Sequence, residues 1–225
     1  MLDLNRAQEA IRFFNQQTAY AASDKVIAKA FEAEVNPVSH LMRVSLLDAL
    51  FATNLSKSKP RESKPRKSIA DISEAIRTSL VIVEDELQNL TSQDLMVLDL
   101  QQEQVMGGIK RAVTIIVQCC NNESVSFATK YLHFAEPNLF APWDSIVPKI
   151  ARDILPQLNF AGNALNQYLP LLKAHQIIWK GFSSEDGVTL TKHDFETQPQ
   201  NWRKHNTPVR IVDKILWAIG KSQSA

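Results

Sequence analysis

The chain reads as an all-α protein. Apolar residues recur at three- and four-residue spacing along most of its length, and strand-like alternation is scarce. Only six glycines are present, which leaves little turn chemistry for hairpins of strands. With 225 residues, 44% of them hydrophobic and 22% charged, the chain is long enough to bury a core as one large domain or two modest lobes.

The elements follow in order. "NRAQEAIRFFNQQTAYAAS" and "SDKVIAKAFEAEV" predict two amphipathic helices, the second capped by Ser23 or Asp24. "NPVSHLMRVSLLDALFATNL" opens with a helix-starting proline, and "SIADISEAIRTSLVIVEDEL" follows with Ser68 or Asp71 at its start. "SQDLMVLDLQQEQVMGGIKRAVTIIVQCC" is long enough for two helices, because Gly107-Gly108 invites a break. A polar turn, "NNES", then separates it from the short helix "SFATKYLHFAE", which Pro137 ends. "NLFAP" is a compact apolar crossing. Pro148 is tolerated only near a helix start, which places Asp144 within or just before the first turn of "DSIVPKIARDIL". "NALNQYLPLLKAHQIIWKGF" and "TPVRIVDKILWAIGK" are further helices, with Gly220 as a C-cap of the last. "EDGVTLTKHDF" is the one candidate for extended structure.

Several function classes are excluded by pattern. No stretch of about 18 uninterrupted apolar residues appears, so no membrane span is expected. "MLDLNRAQEAIRFF" carries an early acid and does not read as a signal peptide. Cys119 and Cys120 are neighbours and imply no disulfide framework, iron–sulfur cluster or four-cysteine zinc site. The phosphate-binding, dinucleotide, zinc-protease and nucleophile-elbow signatures are all missing. A cytoplasmic protein with no cofactor and no metal is the expectation, and a monomer the usual one.

Charge is unevenly spread. The net charge is +1, yet residues 56–68, "SKSKPRESKPRKS", hold six Lys/Arg and one Glu, leaving −4 for the remainder. Punctuated by Pro60 and Pro65, this segment reads as a mobile surface loop, either a solvated linker or a reach towards phosphates through Lys64, Arg66 and Lys67.

The order helix, hairpin, lysine-bearing helix, loop, then proline–x–aspartate in "SFATKYLHFAEPNLFAPWDS" resembles the helix-hairpin-helix DNA glycosylase superfamily, which includes endonuclease III-like and 8-oxoguanine glycosylase-like enzymes. "LLDALFATNL" is similar to the passage before the family's DNA-inserting wedge, which makes Phe51 or Asn54 the wedge candidate, and "VRIVDKILWAIGK" is similar to its closing helix. The likeness covers roughly residues 41–150 and the last helix. It departs where "ESVS" stands in place of the family's hairpin glycine pair, and in the spacing of 14 residues from Lys130 to Asp144, a few shorter than usual.

The resemblance implies a two-lobed helical fold with a cleft between the lobes: residues 40–130 as a central lobe ending in the hairpin, residues 1–39 with 131–225 as the second, the whole chain one glycosylase-like unit. It implies Asp144 and Lys130 as catalytic residues. A carboxylate beneath the sugar stabilises the positive charge that builds as a base departs and orients water, and a lysine of lowered pKa adds weak abasic-site lyase activity through a Schiff base. A flipped-out base needs aromatic walls, for which Trp143, Tyr131, His133 and Phe134 are the candidates, with Trp179 and Trp202 further off. Asn121, Asn122 and Ser124 of the hairpin join the basic loop as DNA contacts. The implied activity is excision of a modified base from double-stranded DNA to leave an abasic site. Divergent bacterial members of anti-phage defence suggest hypermodified cytosine, such as glucosylated hydroxymethylcytosine, as one substrate. Against this stand plainer readings: Asp144 as a helix N-cap, Lys130 as a surface lysine, and the chain as a non-catalytic helical module that binds DNA or protein.

Overall fold

The computed structural model describes residues 2–51, 53, 55, 65–88, 90, 93–121, 124–197 and 206–223. The described residues form ten helices and no strand: α1 (Leu4–Gln16), α2 (Thr18–Glu32), α3 (Pro37–Leu50), α4 (Ile69–Leu87), α5 (Glu103–Cys119), α6 (Val125–Ala135), α7 (Val147–Ile154), α8 (Ala164–Lys180), α9 (Ser184–Thr197) and α10 (Pro208–Ser222). The all-α class is therefore as the periodicity predicts. No described helix is long and apolar enough to cross a membrane.

Local chemistry sets most helix starts. Asn36 and Ser39 form a reciprocal capping box at α3, as Ser68 and Asp71 do at α4. Asp3, Ser124, Asn163 and Thr207 each accept a first-turn amide with the side chain. Pro37 and Pro208 stand at first positions, where a missing N–H costs nothing.

Packing overrides the local signals in four places. Helices α1 and α2 divide at Gln17, not at Ser23, so Ser23 and Asp24 lie inside α2. Asp24 caps nothing; its carboxylate accepts from Arg210 of α10. Helix α5 runs unbroken through Gly107-Gly108, because a Cβ at Gly108 would sit 2.9 Å from the Glu86 carbonyl. The glycine lets α4 and α5 approach closely. Gly220 is not a C-cap but lies within α10, where a Cβ would collide with Ile146 and approach Ile150 Cγ1 to 3.0 Å. "EDGVTLTKHDF" is helical, as part of α9. Ser183 and Asp186 exchange side-chain and backbone hydrogen bonds at its start, and Gly187, Leu190 and Asp194 form one buried face. That helical-period face prevails over the β-branched content.

Helix α10 is the axis of the molecule. Every residue from Val209 to Gly220 is buried, and the helix packs on α1, α7, α8 and α9. Helices α3, α4, α5 and α6 pack among themselves, α3 on α4, α4 on α5 and α5 on α6. Helix α2 joins the two groups through contacts with α1, α3 and α6, and α5 touches α8.

Three histidines are buried, His40, His133 and His175. His40 Nδ1 lies 2.9 Å from Ser73 Oγ and its Nε2 2.7 Å from Tyr131 Oη. His175 Nδ1 lies 2.9 Å from the Leu171 carbonyl.

Two predictions follow from the packing. Gly220→Ala gains roughly 1 kcal/mol of helix propensity, but driving a methyl into Ile146 costs more, about 1–3 kcal/mol; the expected net is a lower urea midpoint. His40 and His175 predict acid sensitivity. Burial lowers His40, with Arg43 adding to the effect, and burial alone lowers His175, each from 6.5 to about 4. As pH falls, the unfolded chain binds these protons first. Stability is therefore full above pH 6.5 and declines towards pH 4, by at most about 3 kcal/mol for each histidine. Urea midpoints across that interval check this, and His175→Gln is expected to flatten the curve.

Candidate active site

The corner from α6 to α7 is built by side chains bonding to backbone. The Thr129 hydroxyl accepts from the Trp143 N–H at 3.0 Å, and the Ser126 hydroxyl donates to the Trp143 carbonyl at 3.0 Å, which ties the crossing to α6. The Tyr168 hydroxyl donates to the Ala141 carbonyl at 2.9 Å from α8. His133 Nδ1 lies 2.7 Å from the Phe140 carbonyl. Held in this way, the crossing delivers Asp144 to the start of α7. Its Oδ1 accepts from the Ile146 N–H at 2.7 Å and the Val147 N–H at 3.0 Å. Ile146, not Asp144, is the N-cap residue of α7; Asp144 accepts these amides from two residues ahead of it, which occupies one oxygen. Oδ2 makes no hydrogen bond among the described residues.

Asp144 and Lys130 line one cavity of about 280 Å³. Its walls come from α1 (Phe14), α2 (Asp24), the end of α3 (Leu50, Phe51), α6 (Lys130, His133, Phe134), the crossing (Pro142, Asp144) and α10 (Arg210, Asp213, Trp217, Lys221). The Lys130 ammonium lies 4.7 Å from the centroid of the Phe51 ring and, among the described residues, touches no carboxylate. Burial lowers its pKa, and the charges of Asp144 and Asp213 pull the other way.

The cavity floor is an ion cluster. Arg210 donates to Asp24 and to Asp213, and its guanidinium stacks 5.0 Å from the Phe14 ring centroid. Burial raises the Asp213 carboxyl to about 7; Arg210 opposes that shift, while Asp144 and Asp24 reinforce it. Below the floor Lys214 donates to Asp194 Oδ1 at 2.7 Å and Asn15 Oδ1 at 3.2 Å, and Asn15 in turn donates to Asp194 at 2.9 Å, joining α1, α9 and α10.

The sequence-predicted residues separate clearly. Lys130, Asp144, His133, Phe134 and Phe51 meet at the cavity, with Phe51 as a wall. Tyr131 is not a base-binding candidate: it is buried in the core, its hydroxyl held by His40 and its ring packed on Phe31 and Phe127. Trp143 fixes the crossing through its backbone and does not line the cavity. Asn121 is spent internally: it accepts from the Lys67 N–H at 2.9 Å and donates to the Leu55 and Lys67 carbonyls at 3.2 and 2.8 Å. Ser124 caps α6. Lys67 donates to the Cys119 carbonyl at 3.0 Å at the end of α5, whereas Arg66 is exposed. Asn54, Lys64, Asn122 and Trp202 lie outside the described residues. Asp24, Arg210 and Asp213 were missed; the available signal was three charges, Arg210, Asp213 and Lys214, on one face of an otherwise apolar helix.

Other candidate chemistry is thin. A larger groove of about 850 Å³ lies along α8 and α9, lined by Trp179, Phe182, Val188 and Phe195, but among the described residues no carboxylate lines it. No group of three His, Cys, Asp or Glu placed to hold a metal ion occurs among the described residues. Cys119 and Cys120 are buried, and burial pushes the Cys120 thiol up to about 12. No protein-family model, no curated protein and no solved structure matches this chain.

The ion cluster makes Arg210 the most consequential side chain of the floor. Arg210→Met leaves two buried carboxylates without their shared cation and is expected to cost about 3–5 kcal/mol. Adding Asp24→Asn removes one of those charges and recovers part of the loss, as read by urea denaturation.

Proposed function

We propose that this protein is a DNA N-glycosylase that flips a modified base from double-stranded DNA into the Lys130–Asp144 cavity and hydrolyses its glycosidic bond. The observation that carries this reading is the shared cavity: a half-buried amine and a carboxylate, the one without a contacting carboxylate and the other with one oxygen uncommitted among the described residues, line the same space beside aromatic rings. Asp144 Oδ2 stabilises the charge developing on the deoxyribose and takes a proton from the attacking water. Its Oδ1 holds the carboxylate rigidly on two amides, so no reorganisation is needed in the transition state. Phe51 and Phe134, with ring centroids 6.1 Å apart, form one aromatic wall against which a planar base stacks.

The fold lends support on the same terms. One group of helices, α3 to α6, ends in the α5–α6 hairpin. The other, α1 with α7 to α10, carries the ion cluster, and the cavity is lined from both. A two-lobed helix-hairpin-helix arrangement accounts for this grouping. The volume, about 280 Å³, is just below the ~300–1,000 Å³ usual for ligand pockets. It suits a single base. A glucosylated cytosine requires the rim at Ser145 and Lys221 to open.

The two amide bonds to Asp144 favour one second reading, a helical DNA- or protein-binding module in which this carboxylate only starts α7. Asp144→Asn separates the two, because asparagine keeps an oxygen for both amides. The glycosylase reading expects wild-type fold and DNA binding with at least a ~100-fold loss of abasic-site formation, measured on unmodified, 8-oxoguanine-containing and phage-modified DNA. Unchanged base release in Asp144→Asn, or none in the wild type on any of these DNAs, would sink it. Borohydride trapping assigns Lys130: a covalent DNA adduct in the wild type that Lys130→Gln abolishes marks the amine as a nucleophile.

A further inference from the structure

Two carboxyl groups face each other in the cavity from opposite kinds of site. Asp144 is at the protein's edge of α7, half-buried, with two amides on one oxygen. Asp213 is in the middle of a helix buried on every side, 5% exposed, with Oδ2 on Arg210 and Oδ1 in no hydrogen bond among the described residues. The groups facing Asp213 are Asp24 from α2, Lys130 from α6, Asp144 from the crossing, and Arg210 and Lys221 from α10. Around Asp213 three acids, Asp24, Asp144 and Asp213 itself, meet two cations, Arg210 and Lys130, while Lys221, the third cation lining the cavity, stands about three turns of α10 beyond Arg210. Arg210 must serve Asp24 and Asp213 together. Such a site sheds its excess negative charge most cheaply by protonating its most buried acid.

Resting on the glycosylase reading, we propose that Asp213 is the proton donor to the departing base, so that the substrates are neutral bases that leave only on protonation, not alkylated bases that already carry positive charge. In the step, the bond from the base nitrogen to C1′ breaks with its electron pair going to the base, and the Asp213 carboxyl proton passes to that base. Water bonds to C1′, and its proton passes to Asp144. The products are the free base and an abasic deoxyribose. Exchange with solvent returns Asp213 to the acid and Asp144 to the carboxylate. A donor that titrates near neutrality, as burial makes Asp213 do at about 7, is matched to this role.

The test compares two kinds of substrate in one protein. Single-turnover excision is measured on duplexes carrying a neutral base (uracil, hypoxanthine, 8-oxoguanine or 5-hydroxymethylcytosine) and on a duplex carrying cationic 7-methylguanine. Asp213→Asn keeps an oxygen for Arg210 but has no acidic proton. It is expected to slow release of whichever neutral base is excised by roughly 10²- to 10⁴-fold and to leave any 7-methylguanine release within a few-fold. Should the variant fold poorly, the wild type alone decides: neutral-base release falls as pH rises above about 7, and cationic-base release does not. Equal losses on both substrates, near-wild-type release of a neutral base by Asp213→Asn, or excision confined to 7-methylguanine overturns the proposal. Asp144→Asn, which removes both activities if the glycosylase reading holds, distinguishes failure of that reading from failure of this one.

Discussion

The constraint on which the rest depends is the burial of α10 together with its charges. A helix enclosed on all sides is ordinarily apolar throughout, and most of "VRIVDKILWAIG" obeys that rule. Arg210, Asp213 and Lys214 do not. An ion taken out of water costs several kcal/mol unless it is paired and hydrogen-bonded, so these side chains dictate what may pack beside them. Asp24 and the face of Phe14 answer Arg210, and Asp194 with Asn15 answers Lys214. The position of α2 follows. Asp24 must project from mid-helix towards α10, which is why the break with α1 falls seven residues earlier, at Gln17.

This arrangement is costly where simple packing would have been cheaper. Replacing buried ion pairs with apolar side chains is commonly neutral or stabilising, and the cavity beside them leaves aromatic faces partly unpacked. Lys130 adds to the cost: its amine is half-buried against Phe51 with no carboxylate of the described residues in contact. Local departures from stable packing of this kind concentrate at functional sites. Three acids, the Arg210 guanidinium and a lysine of lowered pKa converging on one small space make the cavity, not the larger apolar groove along α8 and α9, the place where chemistry is best sought.

Much of the fold was legible because it rests on local signals. Pro37 opens α3 and Ser68 caps α4 as their sequence positions suggest, and Pro148 correctly places Asp144 just ahead of α7. What could not be read depends on partners distant in sequence. Gly107-Gly108 looks like a break until α4 presses the Glu86 carbonyl against it, and Gly220 looks like a terminus until Ile146 fills the space where a Cβ would be. Asp24 reads as a cap because its counter-ion lies 186 residues away. The Lys130–Asp144 pairing was visible because both belong to one compact corner. Asp213 was hidden inside a pattern that otherwise spells core, and Tyr131, adjacent to Lys130, turns the opposite way because neighbours on a helix face different directions.

The hairpin raises a last question, how it would hold DNA without the glycine pair of the resembled family. Glycines there leave backbone amides bare for a phosphate, whereas here the Ser124 hydroxyl takes the Phe127 N–H and Asn121 bonds to chain on either side of it. The same contacts suggest the replacement. Asn121 fastens both Leu55 and Lys67, the residues that bracket most of the basic segment, to the end of α5. Lys67, with Arg66 next to it in the chain, is thereby held at the end of α5. On the glycosylase reading, phosphate attraction passes from oriented amides to cationic side chains, which bind by counter-ion release and tolerate many backbone geometries. Register on the duplex must then come from the base itself entering the cavity. This makes the fit of the flipped base, and not the hairpin, the step that selects a site on DNA.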